Sequence, residues 1–418
     1  MSHSTLVVAL LLTAAAHGQE TYDLVLKGGH VIDPKNGISG VRDVGIRDGK
    51  IAAVADSVDV TKSKQVVDAR GLYVVPGIVD IHAHVYTGTG ERHSYAGDYS
   101  VYPDGFTFRS GVTTVVDAGG AGWRTFADFQ DRIIERSKTR VLAMINIVGN
   151  GMRGGKYEQD LSDMDAEATA KMALAHKGVI VGIKCAHYAG PDWTPVERSV
   201  EAGTKASIPA MVDFGMNYPD RRPLETLLSE KLRPGDIYTH VYSGLRNEIL
   251  DNGQPNPGLL AAKRRGVILD VGHGGGSFVW RVAVPLMKAG IVPDSISTDL
   301  HTGSMNAGMK DMLNVMSKFL AMGMSLDDVI AKSTWAPARE IQRPDLGHLT
   351  PGAVADVAVL RLEKGNFGFL DVYNARLNGT TNLTAELTLK DGKVMWDLNG
   401  IAGKDWTKLP PGYGQPKP

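Results

Sequence analysis

Cysteine is nearly absent from this chain: its 418 residues include Cys185 and no other thiol, so no intrachain disulfide can form. An excess of charge of one sign is also missing, because 45 basic residues nearly balance 46 acidic ones. The composition therefore gives no bulk attraction to nucleic acid or to an anionic membrane surface. No uninterrupted apolar run reaches the roughly 20 residues that span a bilayer. Stability has to come from burial of the apolar residues, which make up 43% of the chain.

Glycine is abundant, with 49 residues in 418, which is well above the average glycine share of roughly 7%. Glycine allows the tight corners at which strands turn into loops. The composition is typical of a loop-rich globular enzyme. The length predicts two or three units, or one barrel of about 250 residues with an accessory domain.

The N-terminus carries a short apolar run from Leu6 to Ala16, followed by the small-x-small pattern of Ala16, His17 and Gly18. This pattern predicts that residues 1–18 are a secretory signal and that the mature protein is secreted or periplasmic. The alternative is an apolar start of the first domain, which is favoured by the lack of Lys or Arg before the run.

Both ends of the chain show the sequence pattern of β-strands. Short alternating runs are separated by turns such as Asp48-Gly49 and, late in the chain, Asp391-Gly392. We predict that residues 19–74 and 350–400 together build one small β-sandwich, with residues 401–418 as a tail.

The middle of the chain, residues 75–349, predicts an α/β barrel. Short β-branched runs alternate there with stretches of helical periodicity, as in a parallel sheet of strand–helix units. Eight such units match a TIM (β/α)8 barrel, and an open doubly wound sheet is the alternative. The eight runs are Ile78–His84, Val112–Asp117, Val141–Val148, Val179–Cys185, Ile208–Phe214, Asp236–Tyr242, Val267–His273 and Ser295–Asp299.

Histidines and acids stand at the ends of these runs, where the reactive groups of a barrel collect. His82 and His84 share one face of the first strand because side chains alternate, and Asp80 on the same face is placed to orient an imidazole. The His-x-His pair predicts a metal clamp. The other polar residues at run ends are Asp117, Lys184, Asp213, His240, His273 and Asp299.

Lys184 ends an apolar run, so its amine is either desolvated or extends to water. A desolvated amine loses its proton easily, and it can then react with carbon dioxide to form a carbamate that bridges two cations. Cys185 has the opposite phase along the strand, so we expect it to pack as a small apolar residue.

The chain resembles the amidohydrolase superfamily, in its amidohydrolase/deacetylase branch near the dihydroorotases and D-aminoacylases. The resemblance extends from about Tyr22 to Trp396. The motifs that carry it are Pro-Gly-Ile-Val-Asp-Ile-His82-Ala-His84, Gly-Ile-Lys184, Ile-Tyr-Thr-His240, Asp-Val-Gly-His273-Gly-Gly-Gly-Ser-Phe and Ser-Thr-Asp299-Leu-His.

This resemblance implies a centre of two divalent metal ions, zinc or alternatively manganese. His82, His84 and Asp299 would hold the more buried ion, His240 the second, and N6-carboxylated Lys184 would bridge them. The family normally has another histidine at the end of the fifth strand, but Asp213 occupies that place here. A carboxylate can ligate zinc and favours harder cations such as manganese.

His273 is either the missing ligand or, as we prefer, a substrate contact beside three glycines. The resemblance further implies that a metal-activated hydroxide attacks the carbonyl while Asp299 acts as general acid and base. Asp299 would otherwise be the N-cap of the next helix. His301 is a candidate substrate contact, and Asp117 is expected to fix a loop or orient a ligand histidine.

The expected activity is hydrolysis of an N-acyl amide or related ester in a small molecule. One alternative is a dihydroorotase-like hydrolase of cyclic amides, and another is a catalytically inactive barrel that binds a metal or a solute. We expect no nucleic-acid partner and no membrane association once the signal is removed. Whether the chain forms a homo-oligomer is left open.

Overall fold

The computed structural model describes residues 21–213 and 222–414. The strands between residues 78 and 269 are parallel and form one curled sheet in chain order. Valine, isoleucine and alanine fill them because both faces of this sheet are covered. Its strands are β6 (Ile78–Ala83), β7 (Val112–Gly122), β8 (Arg140–Asn146), β9 (Ile180–Cys185), β10 (Ala210–Val212), β11 (Ile237–Tyr238) and β12 (Ile268–Leu269).

An eighth extended segment, residues 295–300, joins the first of these strands to the last. On one side, the Asp299 amide donates to the His82 carbonyl (2.7 Å) and the His84 amide donates to the Leu300 carbonyl (2.8 Å). On the other side, the Gly274 amide donates to the Thr298 carbonyl (2.9 Å). The segment closes the sheet into a barrel, so the predicted TIM-barrel class is confirmed. Phe214, the last residue of the predicted fifth run, lies outside the described residues.

Helices cover the outside of the barrel, and five of them begin with a side-chain cap: Asp165, Asn256, His301, Asp311 and Ser325 each accept a hydrogen bond from a first-turn amide. The helices are α1 (Phe126–Phe129), α2 (Ala166–Ala175), α3 (Thr194–Ala206), α4 (Leu224–Thr226), α5 (Pro257–Arg265), α6 (Trp280–Lys288), α7 (Thr302–Met305), α8 (Met312–Ala321), α9 (Leu326–Ala331) and α10 (Trp335–Glu340).

The two ends of the chain meet in a second sheet, as predicted. Its strand order is β15-β14-β13-β5-β1-β2-β3, and β4 pairs with β1. All these strands belong to one hydrogen-bonded sheet, which differs from the two separate sheets of the expected sandwich. They are β1 (Leu24–Asp33), β2 (Ile38–Arg47), β3 (Lys50–Ala55), β4 (Val66–Asp68), β5 (Tyr73–Pro76), β13 (Val357–Leu370), β14 (Arg376–Lys390) and β15 (Lys393–Asp397).

The predicted secretory segment, residues 1–18, lies outside the described residues. Among the residues that are described, none of the helices combines the length and the apolar character needed to cross a bilayer.

The environment of Glu340, at the end of α10, leads us to expect that the stability of the fold depends on pH. Its Oε2 is buried and has no hydrogen-bond partner among the described residues. Burial first, and then the charges of Asp270 and Asp294, raise the pKa of Glu340 from 4.5 to about 8, against the opposing effects of Ser295 and Lys332. The folded protein therefore favours the protonated carboxyl, whose contribution is complete below the unfolded pKa and is lost as the pH rises through about 8.

We expect Glu340→Gln, which carries no ionisable group, to gain stability relative to the native chain as the pH rises from about 5 to about 9. Urea unfolding at both pH values measures this difference, with the exposed Glu230→Gln as the control. A difference in unfolding free energy that stays constant with pH would show that Glu340 does not titrate on folding.

Candidate metal centre and active site

His82, His84 and Asp299 converge at the carboxyl-end mouth of the barrel. One ligand atom from each lies within 4.8 Å of the other two, and all three residues are buried. His84 Nε2 is 3.0 Å from Asp299 Oδ1, and His82 Nε2 is 3.7 Å from the same oxygen. Closure of the barrel brings these side chains together, because the segment that ends in Asp299 pairs with β6.

The protonation of His82 suits a ligand of a divalent cation. Its Nδ1 lies 3.0 Å from Thr239 Oγ1, which in turn donates to Asp270 Oδ2 (2.7 Å). Burial first, and then the charge of Lys184, lower the pKa of His82 to about 3. The imidazole is therefore neutral, and these partners on Nδ1 leave Nε2 turned toward Asp299. An oriented neutral imidazole beside a carboxylate is a donor set that fits zinc.

Asp270 is a residue that the sequence analysis missed, and it takes the role expected for Asp80. The Asp80 carboxylate accepts hydrogen bonds from the Thr298 hydroxyl and from the backbone amides of Thr298 and His82 (3.1 and 3.2 Å). Asp80 thus fixes the backbone between the first and eighth strands. Asp270 Oδ2 is the carboxylate oxygen that faces the His82 ring, at 3.7 Å. Asp270 directly follows β12, so its position at a strand end was a usable signal.

Lys184, on β9, lies fully buried beside His82. Its Nζ is 3.0 Å from His82 Nε2 and 3.7 Å from Met211 Sδ. Burial lowers the pKa of the Lys184 amine, although the charges of Asp213 and Asp299 oppose this shift. The sequence left open whether the Lys184 amine is desolvated or extends to water, and in the structure it is desolvated. Cys185 is buried in the hydrophobic core, as expected.

Asp213 and His240 form the neighbouring part of the site. His240 Nε2 is 3.2 Å from Asp213 Oδ2, and its Nδ1 is 2.5 Å from the Gly272 carbonyl. Arg246 Nη2 donates to the other oxygen, Asp213 Oδ1, at 2.8 Å. Burial alone would raise the pKa of Asp213, but His240 and Arg246 hold it well below its usual range. Arg246 was not predicted, since it lies in the loop after β11.

His187 and Glu158 were also missed by the sequence analysis, and both lie near Asp213. His187 Nδ1 is 2.7 Å from Glu158 Oε2, and its Nε2 is 3.5 Å from Asp213 Oδ2. His187 follows Lys184 by three positions, in the loop after the fourth strand, so its place at a strand end was a usable signal.

Asp117 and His301 lie where the sequence placed them, at the barrel mouth. Asp117 accepts hydrogen bonds from the amides of Val85 and Gly120 (2.8 and 2.6 Å), so it ties the loop after β6 to the last part of β7. His301 Nδ1 accepts hydrogen bonds from the amides of Gly303 and Ser304 (3.1 and 3.3 Å) and caps α7. Burial lowers the pKa of His301. The neutral ring then carries its proton on Nε2.

The structure places His273 differently from both expected roles. Its Nε2 is 2.6 Å from Lys318 Nζ, and its Nδ1 is 2.9 Å from the Gly274 carbonyl. The ring stacks on Phe278 with a centroid separation of 4.5 Å. Burial lowers the pKa of Lys318 to about 7. His273 is fully buried with both nitrogens engaged, and it is not among the residues that line the cavity, so it supports the glycine loop.

His82, His84, Asp299 and several of their neighbours line a cavity of about 420 Å³. This volume lies in the range of small-molecule sites. Its wall includes His82, His84, Tyr95, Met152, Lys184, His187, Asp213, His240, Leu245, Arg246, Gly275, Gly276, Ser277, Asp299, His301 and Gly303.

Gly274 lies so close to Asp299 that there is no room for a methyl group at this position. A Cβ at this position would lie 2.3 Å from Asp299 Oδ2, and the residue has a φ of +57°. We expect Gly274→Ala to displace the carboxylate and to reduce kcat by about 100-fold, the effect of misplacing a reacting group by about 1 Å. Gly276→Ala, in the same loop, is the control because its Cβ would meet no atom within 4 Å. Equal kcat values for the two variants would contradict this prediction.

The chain is similar to proteins of known name along most of its length. A model of the amidohydrolase family matches residues 280–395. A deacetylase of Brucella anthropi is 33% identical over 76% of this chain and 78% of its own length. A deacetylase of Enterococcus faecalis is 30% identical over 82% of this chain and 90% of its own. The crystal structure of an adenine deaminase superposes with a TM-score of 0.80 and 28% identity, covering 90% of this chain and all of that one.

Proposed function

The chain belongs to the amidohydrolase superfamily, and on this basis we propose that it is a metal-dependent deacetylase that hydrolyses an N-acyl amide or a related ester in a small molecule. It is a hydrolase of carbon–nitrogen bonds other than peptide bonds. The observation that carries the proposal is the convergence of His82, His84 and Asp299 on one point of the cavity wall. The similarity to two deacetylases over most of the chain supports the acyl group as the part removed.

We propose that these three residues hold one divalent cation, and that His240 and Asp213 help to hold a second. Nitrogen and oxygen donors of this kind suit zinc, and the carboxylate of Asp213 also suits manganese. When bound, such cations polarise a carbonyl oxygen and lower the pKa of water.

Lys184 is proposed to join the two sites as a carbamate. The neutral amine attacks carbon dioxide: a nitrogen–carbon bond forms while one C=O π pair moves onto oxygen, and the nitrogen releases one proton to water, so that a neutral amine becomes a bidentate anion. Burial lowers the pKa of Lys184 and so supplies the neutral amine that this step needs. The new charge would also remove the repulsion between an ammonium group and two nearby cations.

Asp299 is proposed to carry the proton. Its Oδ1 faces His84, Oδ2 lies against Gly274, and the residue lines the cavity. Burial alone would raise the pKa of Asp299, but His82 and His84 hold it far below its usual range. The ionised Oδ2 takes a proton from the attacking water and returns it to the leaving nitrogen, or to the leaving oxygen of an ester.

His301 is proposed to orient the substrate. Because its Nδ1 accepts two backbone hydrogen bonds, the proton of the neutral ring lies on Nε2 and is available to the cavity. A donor at this position suits a carboxylate or carbonyl oxygen of the bound molecule.

The test is a steady-state comparison of N-acetyl-amino acids and acetyl esters with dihydroorotate and hydantoins, in the presence of zinc or manganese. We expect turnover of acyl compounds and slower or absent opening of cyclic amides. Preference for the cyclic substrates would favour a dihydroorotase-like reaction. Retention of metal without turnover of either class would favour an inactive binding barrel.

We further propose export of the protein, supported by the apolar run and the small-x-small pattern before Gln19. Sequencing the N-terminus of the protein recovered from a bacterial periplasm tests this. An unprocessed chain in the cytoplasmic fraction would overturn it.

A further inference from the structure

His187 lies on the cavity wall beside Asp213 and His240, the residues proposed to hold the second cation. Its side chain is 37% exposed to the cavity. Two imidazoles meet here at one carboxylate oxygen, Asp213 Oδ2: His240 Nε2 lies 3.2 Å from it and His187 Nε2 lies 3.5 Å from it.

The two histidines are oriented in the same way. His240 Nδ1 is held by the Gly272 carbonyl at 2.5 Å, and His187 Nδ1 is held by the Glu158 carboxylate at 2.7 Å. An oxygen acceptor on Nδ1 fixes the ring and turns Nε2 outward, which is the arrangement found around histidines that ligate metals.

Glu158 is itself held in place for this contact. It is buried, and its second oxygen, Oε1, accepts a hydrogen bond from the Gly154 amide at 2.7 Å. Both oxygens are therefore used, one by the backbone and one by the His187 ring. A buried carboxylate is costly unless its partners are fixed, so this pair holds the imidazole in one orientation.

Asp213 presents the remaining donor. Arg246 binds its Oδ1 at 2.8 Å, so the carboxylate is clamped with Oδ2 toward the two rings. Backbone strain accompanies this arrangement, since His187, His240 and Asp299 all have left-handed conformations, with φ values of +59°, +65° and +51°.

We propose that His187 supplies the imidazole that the fifth strand lacks, and that His187, Asp213 and His240 bind the second divalent cation with Glu158 orienting His187. This inference rests on the proposed metal-dependent function. Among the described residues, His82, His84 and Asp299 are the group whose ligand atoms lie within 4.8 Å of one another, so the second set is more open. The second cation therefore binds more weakly than the first.

Metal counting tests the proposal without an activity assay. The metal-free full chain is titrated with zinc by calorimetry, and bound zinc is then counted by mass spectrometry after gel filtration. We expect two ions per native chain, with one bound more weakly. His187→Ala should lose the weaker ion and keep the tighter one, and Glu158→Gln should weaken that same ion by about 10- to 100-fold. His30→Ala, on β1 in the other sheet, is the matched control.

Two ions with native affinities in His187→Ala would overturn the role of His187 and leave the proposed function intact. A native chain that binds a single ion, unchanged in His187→Ala, would do the same. A native chain that binds no ion would overturn the proposed function itself. Circular dichroism checks folding, and His187→Gln, which keeps a polar side chain, replaces His187→Ala if the latter does not fold.

Discussion

Lys184→Ala should lose activity by roughly 10³-fold, because in the proposed mechanism the several kcal/mol that two bound cations would contribute to transition-state stabilisation depend on the Lys184 carbamate between them. The variant should also retain less metal after gel filtration. Lys184 lies fully buried within 3.0 Å of His82, so its truncation leaves a gap between the two proposed sites. Steady-state kinetics and metal counting on the same sample measure both effects.

Rescue separates the carbamate from a simple packing effect. Acetate or propionate can occupy the space left by the side chain and restore a carboxylate between the sites, so each should recover part of the activity and metal of Lys184→Ala. Lys288→Ala, an exposed lysine at the end of α6, is the control and should behave as the native chain. Kinetics unchanged in Lys184→Ala would contradict the carbamate.

Asp299→Asn should reduce kcat by about 100-fold or more, the scale of a lost general acid–base group. Asparagine keeps an oxygen in the place of Oδ1, 3.0 Å from His84 Nε2, but it cannot accept a proton at Oδ2. We therefore expect metal to be retained while turnover falls. This division distinguishes proton transfer from ligation.

The exposed Asp251→Asn is the control for the aspartate substitution. A kcat in Asp299→Asn equal to that of the native chain would show that another group moves the proton. A fall in kcat that accompanies complete loss of metal would assign Asp299 to ligation alone.

Much of the centre could be predicted because its signals are local. His82 and His84 share a face through the two-residue period of a strand, and Asp299 ends the last predicted run. Parallel strands end at one edge of a barrel, so strand order alone brings these residues to a common mouth. Asp117 was expected to end its strand by the same rule, but β7 continues beyond it to Gly122.

Side-chain direction within the loops was not predictable in this way. His273 also follows a strand, yet its ring turns toward Lys318 on α8 and away from the cavity. Asp80 has the phase expected to point inward but bonds to Thr298 on the neighbouring eighth segment, while Asp270 faces His82. These choices depend on contacts between segments far apart in the chain.

Periodicity and the positions of strand ends are properties of neighbouring residues. These local patterns were enough to predict the barrel, the association of the two chain ends, and His82, His84 and Asp299 as one group. Closure of the barrel and the folding of its loops then brought Glu158 to His187 and Arg246 to Asp213, over separations of 29 and 33 residues. Hydrogen bonds of this kind depend on distances near 3 Å between distant segments. Such distances are set by packing, and no local pattern of residues encodes them.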